Sequence, residues 1–166
     1  MSYKFKTAVL TLSDKGSRGE RKDTSGPKIK EIAERYNFEV VYMKILPDDQ
    51  NLIENELKEL SDSGKCDLIL TTGGTGFSKR DCTPEATKNV IDKEVPGISE
   101  AIRAYSINIT KRAMLSRAAS GIRKETLIIN LPGSVKAVEE SLTYIIDTLE
   151  HGLAILKGLD KECGRK

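Results

Sequence analysis

The sequence predicts a three-layer α/β/α fold on a mostly parallel sheet, and three observations carry that prediction. Short apolar, β-rich runs alternate with amphipathic helical stretches in the order β-α-β-α-β up to residue 72. Polar loops rich in Gly, Ser and Asp follow the strands. A long amphipathic stretch then closes the chain. Such alternation implies parallel strands joined by right-handed crossovers, with helices on both faces and ligands gathered at the carboxyl ends of the strands.

The first strand is expected over 8–12, a short apolar run followed by the turn-like Ser13-Asp14-Lys15-Gly16-Ser17-Arg18-Gly19. Pro27 suits a helix start, and Ile29, Ile32, Ala33 and Tyr36 recur at helical spacing before Asn37 ends the pattern. A second strand spans 39–46. Leu52, Ile53, Leu57 and Leu60 mark the next helix, and 67–72 is the third strand. Residues 86–95 and 98–109 read as helices, and 126–131 as a further strand ending in Pro132-Gly133-Ser134. In the last helix Val135, Val138, Leu142, Ile145, Leu149, Leu153 and Leu156 alternate steps of three and four, with Ser134 as N-cap. That stripe belongs to the core or to a subunit interface.

Several function classes drop out on composition. A chain of 166 residues fits one domain, taken as 1–160 with a polar tail at 161–166. The net charge of +2 is scattered, so no footprint for nucleic acid or an anionic membrane stands out. No apolar stretch is long enough to cross a bilayer. Cys66, Cys82 and Cys163 lack zinc or disulfide spacing, which fits a reducing, cytoplasmic setting. His151, the only histidine, falls late in the final helix and reads as a surface or packing residue. Neither a nucleophile elbow nor a metalloprotease helix motif is present.

The chemistry-bearing stretch is Thr71-Thr72-Gly73-Gly74-Thr75-Gly76, followed by Phe77-Ser78-Lys79-Arg80-Asp81-Cys82-Thr83-Pro84-Glu85. Strand, Gly-rich loop and helix start succeed one another, and consecutive N–H groups in such a loop can cradle phosphate. Neither the Walker pattern nor the dinucleotide fingerprint matches, and a tight turn that binds nothing is the plain alternative. Ser13-Asp14, Pro47-Asp48-Asp49 and the Gly-rich loop all follow strands, so they converge on one edge of the sheet. Asp48 and Asp81 would then meet beside a phosphate-binding backbone, an arrangement suited to Mg²⁺. Each also has an ordinary use: Asp48 and Asp49 as caps of the next helix, Asp81 as a solvated loop carboxylate. Cys82 reads as a small space-filling residue rather than a nucleophile.

Ser13-Asp14 with Ser17, Gly19, Asp23, Ser25, Gly26 and Pro27, then Thr71 to Gly76, then Arg80-Asp81-x-Thr83-Pro84-Glu85-Ala86-Thr87, resemble the molybdopterin adenylyltransferase family of molybdenum-cofactor biosynthesis. The stretches 114–123 and 127–133 are similar to the same family, which includes the amino-terminal domain of gephyrin. Ser134-Val135 departs from it, since many members carry Pro at the second of these positions. The resemblance implies a molybdopterin-binding-domain-like fold, a homotrimer, and transfer of AMP from ATP to the terminal phosphate of molybdopterin with Mg²⁺. Pyrophosphate would be released, and the product would pass to a molybdenum insertase. By the same resemblance Asp48 and Asp81 are catalytic and hold the metal, with Asp49 the weaker alternative to Asp48. Ser13, Asp14, Ser17, Thr72, Gly73, Gly74, Thr75 and Gly76 would bind nucleotide or pterin phosphate, and Ser116, Ser120, Gly121, Pro132, Gly133 and Ser134 would complete the pterin side. A molybdopterin-binding relative without the adenylylation activity and a scaffold module remain the alternatives.

Overall fold

In the computed structural model, which describes residues 3–159, six strands form one sheet in the order Phe38–Leu46, Phe5–Leu12, Leu68–Thr72, Thr126–Leu131, Ser120–Arg123 and Lys93–Glu94. The expected strands are present as β1 (Phe5–Leu12), β2 (Phe38–Leu46), β3 (Leu68–Thr72) and β6 (Thr126–Leu131). These four are mutually parallel, and Leu12 pairs with Leu46, Thr11 with Thr72, and Thr72 with Leu131. Their carboxyl ends therefore reach one edge together.

Two further strands, β4 (Lys93–Glu94) and β5 (Ser120–Arg123), extend the sheet antiparallel beyond β6. Neither was expected. β4 also cuts short the helix expected over 86–95: α4 runs only Thr83–Val90, and α5 (Pro96–Ile107) begins afresh at a proline. The residue before a proline is driven out of the helical region, and Val95 accordingly sits at φ −124°, ψ 68°. The turn-like segment after β1 contains a short helix, α1 (Asp14–Ser17), whose first turn is capped by the Ser13 hydroxyl accepting from Gly16 N at 2.9 Å. A 3-10 turn, Lys111–Leu115, follows α5.

The apolar stripes sort the helices onto two faces. Ile29, Ile32 and Ala33 of α2 (Ser25–Glu34) join Ile102 of α5 and the α6 (Val135–Leu156) stripe over one side of the sheet, against Val9, Leu70 and Ile129. Ile53, Leu57 and Leu60 of α3 (Gln50–Asp62) join Ala86 and Val90 of α4 over the other, against Leu10, Ile69 and Ile128. Alternate residues of each strand thus serve opposite layers. Three expected apolar-face positions fail: Tyr36 lies past the end of α2, Leu52 in the first turn of α3 and Val135 at the start of α6, ahead of its buried stripe, and all three are exposed. Val138, Leu142, Ile145, Leu149 and Leu153 are buried, so the α6 stripe is core. Ser134 caps α6, its hydroxyl accepting from Ala137 N at 3.2 Å. The tail expected at 161–166, together with Cys163, lies outside the described residues.

Polar side chains buried in the sheet are paired. Asn130 of β6, fully buried, donates to Thr71 Oγ1 at 3.1 Å and Thr87 Oγ1 at 2.9 Å and accepts from Ala119 N at 3.1 Å. One amide thereby ties β3, α4 and the approach to β5 to the central strand. At the opposite edge, buried Asp67 pairs with Lys157 at 2.9 Å and accepts from Tyr3 Oη and Lys6 N.

Replacing Asn130 by Ala strands a main-chain N–H and two threonine hydroxyls in the core. The expected loss is about 3 kcal/mol, read from urea unfolding, with far-ultraviolet circular dichroism unchanged. A loss below about 1 kcal/mol would show that the network does not tie these elements together.

Candidate active site

The loop after β3 takes its shape from two glycines. Gly73 has φ +96°, and a Cβ there would lie 2.4 Å from Leu12 O, so the loop can cross the end of β1 only without a side chain. Gly74, at φ +68°, would place a Cβ 2.3 Å from Thr83 Oγ1 and 3.1 Å from Asp48 Oδ1. Thr83 then fastens the loop to the start of α4, donating from Oγ1 to Gly73 O at 3.0 Å and from N to Gly74 O at 3.2 Å. From the neighbouring strand end, Thr72 Oγ1 donates to Pro132 O at 2.6 Å, and Ser25 Oγ at the head of α2 donates to Gly133 O at 2.8 Å.

These loops enclose a polar cavity of about 470 Å³. Ser13 and Asp48 line one side, Thr72, Gly73, Gly74 and Asp81 the floor and rim, and Gly133 and Ser134 the far wall. A second cavity, about 280 Å³ and mostly apolar, opens on the other side of the Gly-rich loop and takes Thr75, Gly76, Ser116 and Pro132. Asp14 lines neither, but bonds directly to Asp48. Ser17 is exposed, its hydroxyl donating to Asp14 O. Ser120 is buried, in hydrogen-bonding contact with Ser99 Oγ and Val95 O. Gly121 faces Ile91 and Lys93 O, where a Cβ would come within 2.7 Å of both. The structure thus sets Ser120 and Gly121 in the β4–β5 packing rather than in either cavity.

Asp48 and Asp49 are neighbours with opposite environments. Asp49 is exposed and caps α3, accepting from Leu52 N at 3.0 Å. Asp48 turns inward and exchanges hydrogen bonds with Asp14: Asp14 N donates to Asp48 Oδ2 and Asp48 N donates to Asp14 Oδ1, both at 3.0 Å. Arg80 closes this arrangement by donating two 2.9 Å bonds to the Asp14 carboxylate, which hold the Asp14 pKa below its ordinary value. Asp48 moves the other way. Burial raises its pKa, and the Asp14 and Asp81 charges add to the effect against the Asp14 N–H and the Arg80 charge. Its Oδ1 is buried with no hydrogen-bond partner.

An orphaned carboxylate oxygen beside a second carboxylate, on a cavity floored by Gly-rich backbone, is a donor set that a divalent cation completes. Among the described residues no three acidic, His or Cys side chains are placed to hold a metal ion by themselves, so Asp48 and Asp81 would share such an ion with ligand oxygens. Cys82 is half-buried at the N-cap of α4, and burial pushes its thiol up to about 11, away from nucleophilic use. His151 lies on the exposed side of α6, near an apolar cavity that includes Leu127 at the opposite end of β6.

Sequence reasoning left several participants out of the site. Arg21, Lys22, Asp23 and Ser25 line the polar cavity, and Asp23 accepts from Thr11 Oγ1, Ser25 N and Gly26 N at the head of α2. Arg117 holds the Gly-rich loop from outside. Asp23, Ser25 and Arg117 fall in the stretches that carry the family resemblance, but an Asp one residue before a helix cap and an Arg bonded to carbonyls do not by themselves display a role in the site.

Comparison with known proteins follows the same lines. A family model described as a probable molybdopterin binding domain matches residues 8–151. The molybdopterin adenylyltransferase of Haemophilus influenzae is 40% identical over 161 residues, covering 96% of this chain and 81% of that protein. The solved structure of the molybdopterin biosynthesis enzyme MoaB from Thermus thermophilus is similar with a TM-score of 0.88 at 45% identity, covering 93% of this chain and 97% of that one. The tungsten cofactor synthesizing protein MoaB from Pyrococcus furiosus gives 0.85 at 38%, covering 95% and 99%.

The raised Asp48 pKa makes the site a liability for stability. In the unfolded chain Asp48 ionises near the ordinary value of about 3.9, whereas in the fold it ionises later, so stability is lost as pH rises from the first value through the second. Asp48→Asn keeps an acceptor for Asp14 N and removes the charge. The variant is expected to melt higher than the parent near pH 7 and to lose that advantage below about pH 4. An advantage independent of pH would overturn this account of Asp48.

Proposed function

Because the chain belongs to the molybdopterin adenylyltransferase family, we propose that it transfers the adenylyl group of ATP to the terminal phosphate of molybdopterin and releases pyrophosphate. The observation that carries the proposal is the inward, unpartnered Asp48 Oδ1 sharing one polar cavity with Asp81 and the Gly73-Gly74 backbone. Two carboxylates facing a triphosphate would repel it unless a cation lay between them. Magnesium, held by Asp48, Asp81 and phosphate oxygens, would supply that charge neutralisation.

The residues then divide the work. A phosphate monoester has its second pKa at about 6, so at neutral pH the molybdopterin phosphate is already a competent nucleophile and needs no general base. Its oxygen attacks the α-phosphorus of ATP, the bond from that phosphorus to the β-bridging oxygen breaks, and the electron pair leaves with pyrophosphate. Main-chain N–H groups of the Gly-rich loop orient the phosphates and stabilise the charge that develops on them. Arg21 and Lys22, on the same cavity, attract the polyanionic substrates. Arg80 is already committed to Asp14 and acts through it on Asp48.

The two cavities suit two parts of the reaction complex. Phosphate chemistry belongs in the polar one, beside Asp48 and Asp81, and the apolar one, with Ser116 and Thr75 as hydrogen-bonding groups, suits the flat pterin ring. A homotrimer and hand-over of the product to a molybdenum insertase belong to the same proposal, and exposed Ile107, Ile109, Met114 and Leu115 offer apolar surface for assembly.

Pyrophosphate release from ATP, Mg²⁺ and molybdopterin tests the reading. Turnover is expected to fall by about 10² or more in Asp81→Asn and in Asp48→Asn, whereas Asp49→Asn, which retains a capping oxygen, stays within a few-fold. Near-normal turnover in Asp81→Asn would refute its role. Tight pterin binding by the parent protein without pyrophosphate would identify a binding protein instead of a transferase.

A further inference from the structure

Arg117 lies between the 3-10 turn and β5, and lines neither of the two loop cavities. Its main-chain N–H donates to Thr75 O at 2.9 Å, its Nε to Gly76 O at 2.7 Å, and one terminal nitrogen to Asp81 O at 3.1 Å. The other terminal nitrogen pairs with Glu85 in the first turn of α4. Between Gly76 and Asp81 the chain makes a surface excursion, in which Phe77 is 72% exposed. A single guanidinium therefore holds the carbonyls at both ends of that excursion and the helix that follows it.

The direction of these bonds matters for Asp81. A residue's carbonyl and side chain leave the backbone in different directions, so holding Asp81 O toward Arg117 sets the direction in which the Cα–Cβ bond departs and confines the side chain to that side. It goes to the polar cavity. The carboxylate's own bond, accepted by Oδ2 from Ser78 N at 3.1 Å, lies inside the excursion and would travel with it. Only a planar fork of several donors reaches carbonyls that diverge in this way, which an ammonium cannot reproduce.

We propose that Arg117 is the positioning residue that holds Asp81 at the wall of the polar cavity by clamping both ends of the 76–81 loop. The kinetic consequence rests on the adenylyl-transfer reading above; the structural consequence rests on the clamp alone.

The test compares Arg117→Ala, Arg117→Lys and, as a control, Arg123→Ala, which removes an arginine bonded to Asp62 and Val90 O away from the loop. Amide hydrogen exchange at 77–82 is expected to speed up by about tenfold in both Arg117 variants, with β6 unaffected and the control unchanged at the loop. Pyrophosphate release should fall about 10- to 100-fold in kcat with KM for molybdopterin within about twofold. Millimolar methylguanidinium should restore much of the loss in Arg117→Ala but none in Arg117→Lys. Unchanged loop exchange, or full activity in Arg117→Lys, overturns the proposal. If the parent protein releases no pyrophosphate, the adenylyl-transfer reading falls while loop exchange still decides the clamp.

Discussion

The common register of β2, β1, β3 and β6 determines where every loop of the site begins. Leu46, Leu12, Thr72 and Leu131 finish within one residue of one another in register, so four separate segments of the chain enter one space without long excursions. Close approach then does the rest. Gly73 crosses within reach of Leu12 O, and Gly133 lies against Gly73, where a Cβ would sit 3.4 Å from its Cα. At Gly73, Gly74 and Gly133 the cavity is bounded by main chain, held in place by the strand ends from which these loops leave.

Electrostatics in this site is arranged in layers. Asp48 is partly desolvated and carries an unpartnered oxygen, while Asp14 beside it is fully satisfied by Arg80 and by Asp48 N. One carboxylate of the pair thereby serves as scaffold and leaves the other free to bind. A like-charged pair without Arg80 would hold Asp48 less ionised, since the guanidinium is among the groups that draw its pKa down. Arg80 is well exposed, so its influence is screened by salt and works mainly through the geometry it gives Asp14.

Much of this was legible in the chain. Strand 126–131 has the bounds expected of it, the Ser134 cap holds, and the strand-following loops do share one edge. These features depend on local pattern and on the handedness of crossovers, both of which a sequence displays. The choice between Asp48 and Asp49 was not visible, because adjacent residues differ only in which way the backbone turns them. The β4–β5 extension escaped notice because Lys93-Glu94 is polar and Ser120-Gly121-Ile122-Arg123 has no alternation; pairing, not propensity, makes them strands. Tyr36 and Leu52 misled because helical spacing continues into residues beyond the packed face.

The place of β6 in the sheet has a consequence during synthesis. It is the last strand made, yet it lies between β3 and β5. Until it leaves the ribosome, β3 presents an unpaired and wholly apolar-flanked edge, and the layer formed by α2 lacks the long α6 that covers it. Pro132 to Ser134, the far wall of the pocket, arrives immediately afterwards. A nascent chain halted near residue 120 would hold both acidic residues and the glycines and still have no pocket, so premature termination leaves an adhesive fragment rather than a weak enzyme.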